Sequence, residues 1–217
     1  MTFIPIDMEK WERKEHYQYY MNIVKAKYTM TVEIDITTLL ENIKQKELRF
    51  YAVFLYVIMS CINKNKAFRM GCNEQGQLGY WDICHPSYTI FHEDDKTFSD
   101  IWTEYHTSFS LFYKNVLEDM KTYKDIKGVK TKPRTAQNFC PISCVPWLHF
   151  KSISYDTFTE NKMLLPIIVF GKHHTHHGKT TLPFSIFVNH AAADGYHTCQ
   201  LIEQIQHMCQ NTDWLET

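Results

Sequence analysis

The sequence predicts an α/β fold of the α+β kind, in which a mixed β-sheet is covered by helices in two layers, as one domain over residues 1–217. Three observations predict it. From Tyr28 to Ile36 apolar and polar residues alternate strictly, the period of a strand with one buried face. From Phe50 to Asn63 the chain is almost wholly apolar yet too short to span a membrane, which suits a helix inside a core. Three more strand candidates crowd into the last third without a regular strand–helix–strand repeat, so the sheet is expected to be mixed.

Element by element, Trp11 to Ile23 combines aromatic and charged residues behind a candidate cap at Asp7 and is expected to form a short helix. On the next strand Tyr28, Met30, Val32, Ile34 and Ile36 share one face, and Thr29, Thr31, Glu33 and Asp35 the other. Thr37 or Thr38 opens a helix that runs to Lys46, ahead of the apolar helix. The turn residues from Asn73 to Gln77 separate two short runs, and Tyr88 to His92 suits a strand. Between Thr97 and Tyr123 apolar residues recur every three or four positions, from Phe98 and Ile101 to Val116 and Met120, which predicts the longest helix of the chain. The Lys- and Arg-rich stretch from Lys124 to Gln137 suits a solvated connector. Strands are expected over Ile142 to Ser154, Leu164 to His173 and Leu182 to Asn189, and a helix from Tyr196 to Cys209 carries Leu201, Ile202, Ile205, Met208 and Cys209 on one face.

Composition excludes several function classes. With 44% hydrophobic and 22% charged residues the chain is not expected to be disordered. Lys and Arg number 23 against 24 Asp and Glu, a formal charge of -1, so broad nucleic-acid backbone binding is not expected. The first ten residues lack a basic stretch followed by a long apolar one, and no later run approaches about 18 uncharged apolar residues. A cytoplasmic protein with no membrane segment is expected. The seven cysteines are odd in number and irregularly spaced, without a C-x-x-C pair, and are read as reduced thiols, mostly buried. In the run from His173 to His177, His174 and His176 would share a strand face, as metal ligands can. The run lies between two apolar strands and ends at Gly178, so a solvated hairpin tip and no metal are expected.

The chemistry-bearing stretch runs from Val188 to His197. His190 is followed by three alanines, and Asp194-Gly195 interrupts the strand before the last helix. Histidine as a residue type suits general-base work, provided that a partner fixes its ring.

His190-Ala-Ala-Ala-Asp194-Gly195 resembles the H-x-x-x-D-G signature of the chloramphenicol acetyltransferase family. The run from Trp11 to Tyr17 is similar to that family's W-x-R-K/R-E-H-F/Y segment, and Ser143-Cys-Val-Pro-Trp147 resembles its S-x-x-P-W segment. Asp35-Ile-Thr37, Phe68-Arg-Met70, Tyr80-Trp-Asp82 and Thr97-Phe-Ser99 agree as well. The likeness is colinear over nearly the full chain, and the interval from Ser143 to His190 is also the family's.

The resemblance implies a CoA-dependent acyltransferase-like fold and O-acetylation of chloramphenicol by acetyl-CoA, conferring antibiotic resistance. It implies His190 as the general base in a ternary complex, Ser143 as a hydrogen-bond donor to the oxyanion, and Arg13 and Asp194 as a salt bridge that supports the site. It also implies a homotrimer with sites between subunits. Tyr20, Phe98, Ile153, Tyr155, Met163 and Val169 match acceptor positions, and Trp147 and Lys172 fall in segments of the coenzyme channel. Asn189 departs from the family's usual His-His pair, and Val169 stands where a Thr commonly holds a water. Ile153, Tyr155 and Met163 replace the usual Phe, Leu and Phe. These departures leave open a same-mechanism acyltransferase for another hydroxyl acceptor, or a catalytically silent homologue that binds a small molecule.

Overall fold

A computed structural model describes residues 2–134, 137–155 and 163–217 of the chain. Strand β1 (Phe3–Pro5) leads to the short helix α1 (Lys14–Gln18), which widens into a π-helical turn over Tyr19–Ile23. The alternating segment forms β2 (Lys27–Asp35) and is followed by α2 (Thr37–Gln45) and the apolar α3 (Phe50–Lys64). Next come β3 (Met70–Cys72), β4 (Leu78–Trp81), β5 (His85–His92), β6 (Thr97–Trp102) and α4 (Phe109–Tyr123). The last third supplies β7 (Phe139–Val145), β8 (Ile167–Gly171), β9 (His174–His176), β10 (Lys179–Asn189) and α5 (Gly195–Gln210).

The large sheet runs in the order β2-β10-β8-β7-β5-β6, with β9 beside β10. It is mixed, as expected: β7 pairs in parallel with both β5 and β8, and the other pairings are antiparallel. A separate small sheet, β1-β4-β3, joins the N-terminus to the hairpin whose turn runs from Asn73 to Gln77.

The core lies on one face of the large sheet. All of α3 from Ala52 to Ile62 is buried, and Ile34, Tyr88, Ile142, Ile168, Phe170, Phe184 and Ile186 meet it from the strands. Helix α5 adds the buried Leu201, Ile205 and Cys209. A helix apolar all round is one covered on every side, and α3 packs against both α4 and α5 as well as the sheet. The opposite face carries Thr31, Ser185, Val169 and Ser143 in one row across four strands. The loop after β7 is drawn onto that face, where a side chain at Gly171 would begin 2.8 Å from the Leu148 carbonyl.

Several expectations require correction. The segment from Thr97 to Trp102 is a strand, not the start of a long helix; Phe98 pairs with Phe91 and Ile101 with Tyr88. Asp95 accepts hydrogen bonds from the Thr97 amide and hydroxyl, and Lys96 takes φ +60, so the chain turns back there. Burial of Ser99 and Ile101 then follows a period of two, and the helical spacing of Phe98, Ile101 and Tyr105 is coincidental. Ser108 caps the true helix through its hydroxyl and the Leu111 amide. With 15 residues α4 is shorter than the 16-residue α5.

The strand expected from Ile142 to Ser154 ends at Val145, just before Pro146. Asp7 holds a turn through the Glu9 amide rather than capping α1. Nor is the basic connector simply solvated. Lys132 pairs with Asp119, and Arg134 with Asp100 and Ser87, while Thr135 and Ala136 lie outside the described residues.

Candidate active site

The site begins where β10 stops. The Asn189 carbonyl accepts from the amides of Ala192 and Ala193 at 2.9 and 3.2 Å, and its side-chain Oδ1 accepts from Ala191 at 3.1 Å. These bonds turn the chain sharply at His190. Ala191, Ala192 and Ala193 are buried to within 1% of full burial, so a larger side chain would have no space. Asp194 then opens α5 as its N-cap, with Oδ1 accepting from the Tyr196 and His197 amides, where the helix dipole favours a negative charge.

The expected salt bridge is present. Arg13 Nη1 donates to Asp194 Oδ2 at 2.6 Å, and the two side chains are 19% and 31% exposed. His197 places Nδ1 2.7 Å from the other carboxylate oxygen. Burial works against the Asp194 charge, but hydrogen bonds from Arg13 and His197 outweigh it and hold the carboxyl well below the usual carboxylate range.

The His190 ring stacks on Tyr20 with centroids 3.7 Å apart and planes inclined by 14°. Tyr28 meets it edge-on at 5.2 Å and is itself held by Thr198 Oγ1 at 2.7 Å. Burial raises the Tyr28 pKa, so the phenol remains a neutral wall. The His190 amide donates to the Ala26 carbonyl at 3.1 Å, while its Nδ1 is buried without a hydrogen-bond partner. Ring orientation here comes from aromatic packing rather than from a hydrogen-bonded partner. Tyr20 reaches this position from the π-helical turn, a widening of the helix that recurs at functional sites.

Ser143 stands elsewhere, half-buried on β7 and in register with Val169 of β8. Val169 is fully buried in a small apolar cluster with Phe150 and Phe187, against which Val145, Ile153 and Ile167 pack. The next residue in the row, Ser185, has its hydroxyl paired with Thr31 at 2.7 Å.

A narrow cleft of about 80 Å³ touches both regions. Its walls include Tyr28 and Asn189 from the histidine side, Ile167 and Phe187 from the serine side, and the expected acceptor residues Tyr155 and Met163. Tyr155 packs edge-on against Phe187 at 4.7 Å.

The expected residues thus fall into groups. Arg13, Tyr20, His190 and Asp194 assemble around the end of β10; Ser143, Ile153 and Val169 share the apolar face. Phe98 and Trp147 lie further along that face, joined through Phe91, which faces Phe98 across the hairpin and meets Trp147 edge-on at 4.7 Å. Phe98 and Trp147 are 55% and 59% exposed. Lys172 is exposed, with its amide bonded to the Leu148 carbonyl.

Tyr28, Thr198 and His197 were not identified from the sequence as parts of the site. Tyr28 looks like any core-facing strand residue in the alternation, and only its register beside Val188 brings it under His190. The histidine run forms the β9–β10 hairpin, with His177 and Gly178 at φ +47 and +77 in its turn. Among the described residues no three His, Cys, Asp or Glu side chains are placed to hold a metal ion. None of the described helices is long and apolar enough to cross a membrane.

Comparison with known proteins bears directly on this arrangement. The sequence model of the family described as chloramphenicol acetyltransferase matches residues 1–206. A chloramphenicol acetyltransferase of Clostridium perfringens is 40% identical over 216 residues, covering 99% of each chain. Counterparts from Clostridium butyricum and Staphylococcus aureus are each 41% identical, over 100% and 96% of this chain and 99% of their own. A solved chloramphenicol acetyltransferase superposes with TM-score 0.84 at 20% identity, covering 96% of this chain and 100% of its own. The dihydrolipoamide acetyltransferase of Azotobacter vinelandii follows at TM-score 0.64 and 14% identity, over 94% of this chain and 88% of its own, a likeness of fold alone. With its family model matched over almost the whole length and its relatives colinear from end to end, this chain belongs to the chloramphenicol acetyltransferase family.

Proposed function

We propose that the chain transfers the acetyl group of acetyl-CoA to a hydroxyl of chloramphenicol, with His190 as general base. The His190 ring takes the hydroxyl proton, the freed oxygen bonds to the thioester carbonyl carbon, and a tetrahedral oxyanion forms. Collapse breaks the carbon–sulfur bond, and the proton held by His190 passes to the departing CoA thiolate. Ser143 donates to the oxyanion, an interaction whose removal costs about 3 kcal/mol in comparable enzymes. Arg13 and Asp194 hold the entry to α5 and with it the turn that presents the base. Residues 1–217 act as one domain.

The observation that carries this reading is the Tyr20–His190 stack at the end of β10, which fixes the imidazole plane in a chain whose relatives bear this enzyme's name. The working form is a homotrimer with its sites between subunits. Supporting this, Ser143 and His190 belong to separate side-chain groups within one chain, and Ile23 and Val24, at the end of the Tyr20 turn, are 72% and 46% exposed. The acetyl-CoA arm runs past Trp147 and Lys172, which the bond from the Lys172 amide to the Leu148 carbonyl brings near each other. Incubation with acetyl-CoA and chloramphenicol is expected to release free CoA thiol. Absence of release from folded protein would overturn the reading.

Val169 favours one second reading. It places no hydrogen-bonding atom between Ser143 and Ser185, and an acceptor other than chloramphenicol would suit so apolar a wall. A panel of hydroxyl compounds decides between the two by relative kcat/KM.

A further inference from the structure

Asn189 touches three parts of the site at once. Its Oδ1 accepts from the Ala191 amide two residues on, closing a ring of backbone around His190. Its Nδ2 donates to the Met163 carbonyl at 3.3 Å, on the wall of the cleft. The same nitrogen lies 3.9 Å from the sulfur of Met21, the residue after Tyr20. Asn189 is only 7% exposed, so its side-chain amide meets these partners in place of water.

We propose that Asn189 is a positioning residue with two separable arms: Oδ1 sets the His190 ring against Tyr20, and Nδ2 fixes the acceptor wall at Met163. The proposal rests on His190 being the base. Backbone bonds from the His190 amide to Ala26 and from Ala192 and Ala193 to Asn189 hold the turn on either side of the ring, and the Asn189 side chain adds the bond at Ala191 directly after it. A displacement of about 1 Å at a reacting group can cost on the order of a hundred-fold in rate. The Met163 arm acts differently, since it touches no reacting atom and moves only the cleft wall.

The two arms predict a split in the kinetics. Asn189→Ala removes both, and kcat for CoA release with chloramphenicol is expected to fall about ten- to hundred-fold while KM for the acceptor rises. KM for acetyl-CoA is expected to stay within about two-fold, because neither arm faces the Trp147 and Lys172 side. Asn189→Ser keeps a hydroxyl able to accept from Ala191 but too short to reach Met163. It is expected to restore most of kcat and leave the acceptor KM raised.

A second readout needs no turnover. Ring protons of His190, assigned by their loss in His190→Ala, should be shifted upfield by the face of Tyr20. In Asn189→Ala that shift is expected to collapse, and in Asn189→Ser to persist. A serine variant no better in kcat than the alanine variant, or an alanine variant with the shift intact, overturns the first arm. Recovery of acceptor KM in the serine variant overturns the second. Should the alanine variant lose its circular dichroism signal, the serine variant decides by the same two measurements. If the parent protein releases no CoA thiol, the functional reading fails, and the ring shift still decides whether Asn189 holds the imidazole.

Discussion

The histidine end and the serine end of the large sheet are held by different forces. Around His190 the framework is polar and charged: Arg13 on Asp194, Asp194 on the first amides of α5, Asn189 on Ala191, Tyr28 on Thr198. Around Ser143 it is apolar, with Val169, Phe150 and Phe187 in contact and Val145, Ile153 and Ile167 at the margin. Hydrogen bonds fix direction, whereas dispersion fixes only proximity. The difference shows that the framework around His190 is set by directed bonds within a single chain, while the Ser143 side is held by packing alone. Under the proposed function a second copy brings its own histidine end to that side.

Breaking the histidine end has the largest expected effect. His190→Ala should lower turnover by about 10³-fold, within the range of general-base contributions, with circular dichroism unchanged. A variant that kept most of its activity would remove His190 from the mechanism. At the other end, Ser143→Ala should cost about 10²-fold in kcat with little change in acceptor KM. The two variants together sharpen the comparison. Refolded as a mixture, His190→Ala and Ser143→Ala chains should regain activity if each site draws its two ends from different chains, and should stay inactive if one chain supplies both.

Asp194→Asn probes the framework alone, because asparagine caps a helix as well as aspartate does. With the pair partly exposed, the loss is expected near 2 kcal/mol, below the ~3–5 of fully buried pairs, and the melting temperature should drop by about 5 °C. The sign with pH follows from the depressed carboxyl. Its contribution is complete above the unfolded-state value of about 4 and fades as pH falls below that, through the lower folded-state value. Urea unfolding of parent and variant should therefore differ at neutral pH and converge in acid. The smallest effect belongs to Val169→Thr, which places a hydroxyl between Ser143 and Ser185. Stability is expected to change by less than about 1 kcal/mol if the new hydroxyl pairs with Ser185, and denaturation midpoints measure it.

The histidine end was far more legible in the sequence than the serine end. The triple alanine and the Asp-Gly pair mark a boundary locally, whereas Arg13 was reached only through the family resemblance, and the structure brings Arg13 and Asp194 into contact. The alternation of β2 and the burial of α3 were equally plain, since each repeats one physical period over a whole element. Residues from Thr97 to Trp102 misled because an apolar spacing of three or four fits both a helix and a short strand flanked by aromatics. Register was not legible at all. That Val169 stands between Ser143 and Ser185, or Tyr28 beside Val188, depends on pairings between strands far apart in sequence, which no local pattern encodes.

The place of β10 has a consequence for how the chain is made. It is the last strand synthesised, yet it sits inside the sheet between β2 and β8. Its pairing with β2 closes a loop of roughly 150 residues, and contacts so distant form slowly. While the ribosome is still adding residues, β2 and β8 each present an unpaired edge, the feature most prone to joining a wrong neighbour. Arg13, Tyr20 and Tyr28 emerge early and wait for Asp194, His190 and Thr198 before these contacts can form. Completing the sheet therefore depends on how quickly β10 threads into a gap left open since the first strands appeared.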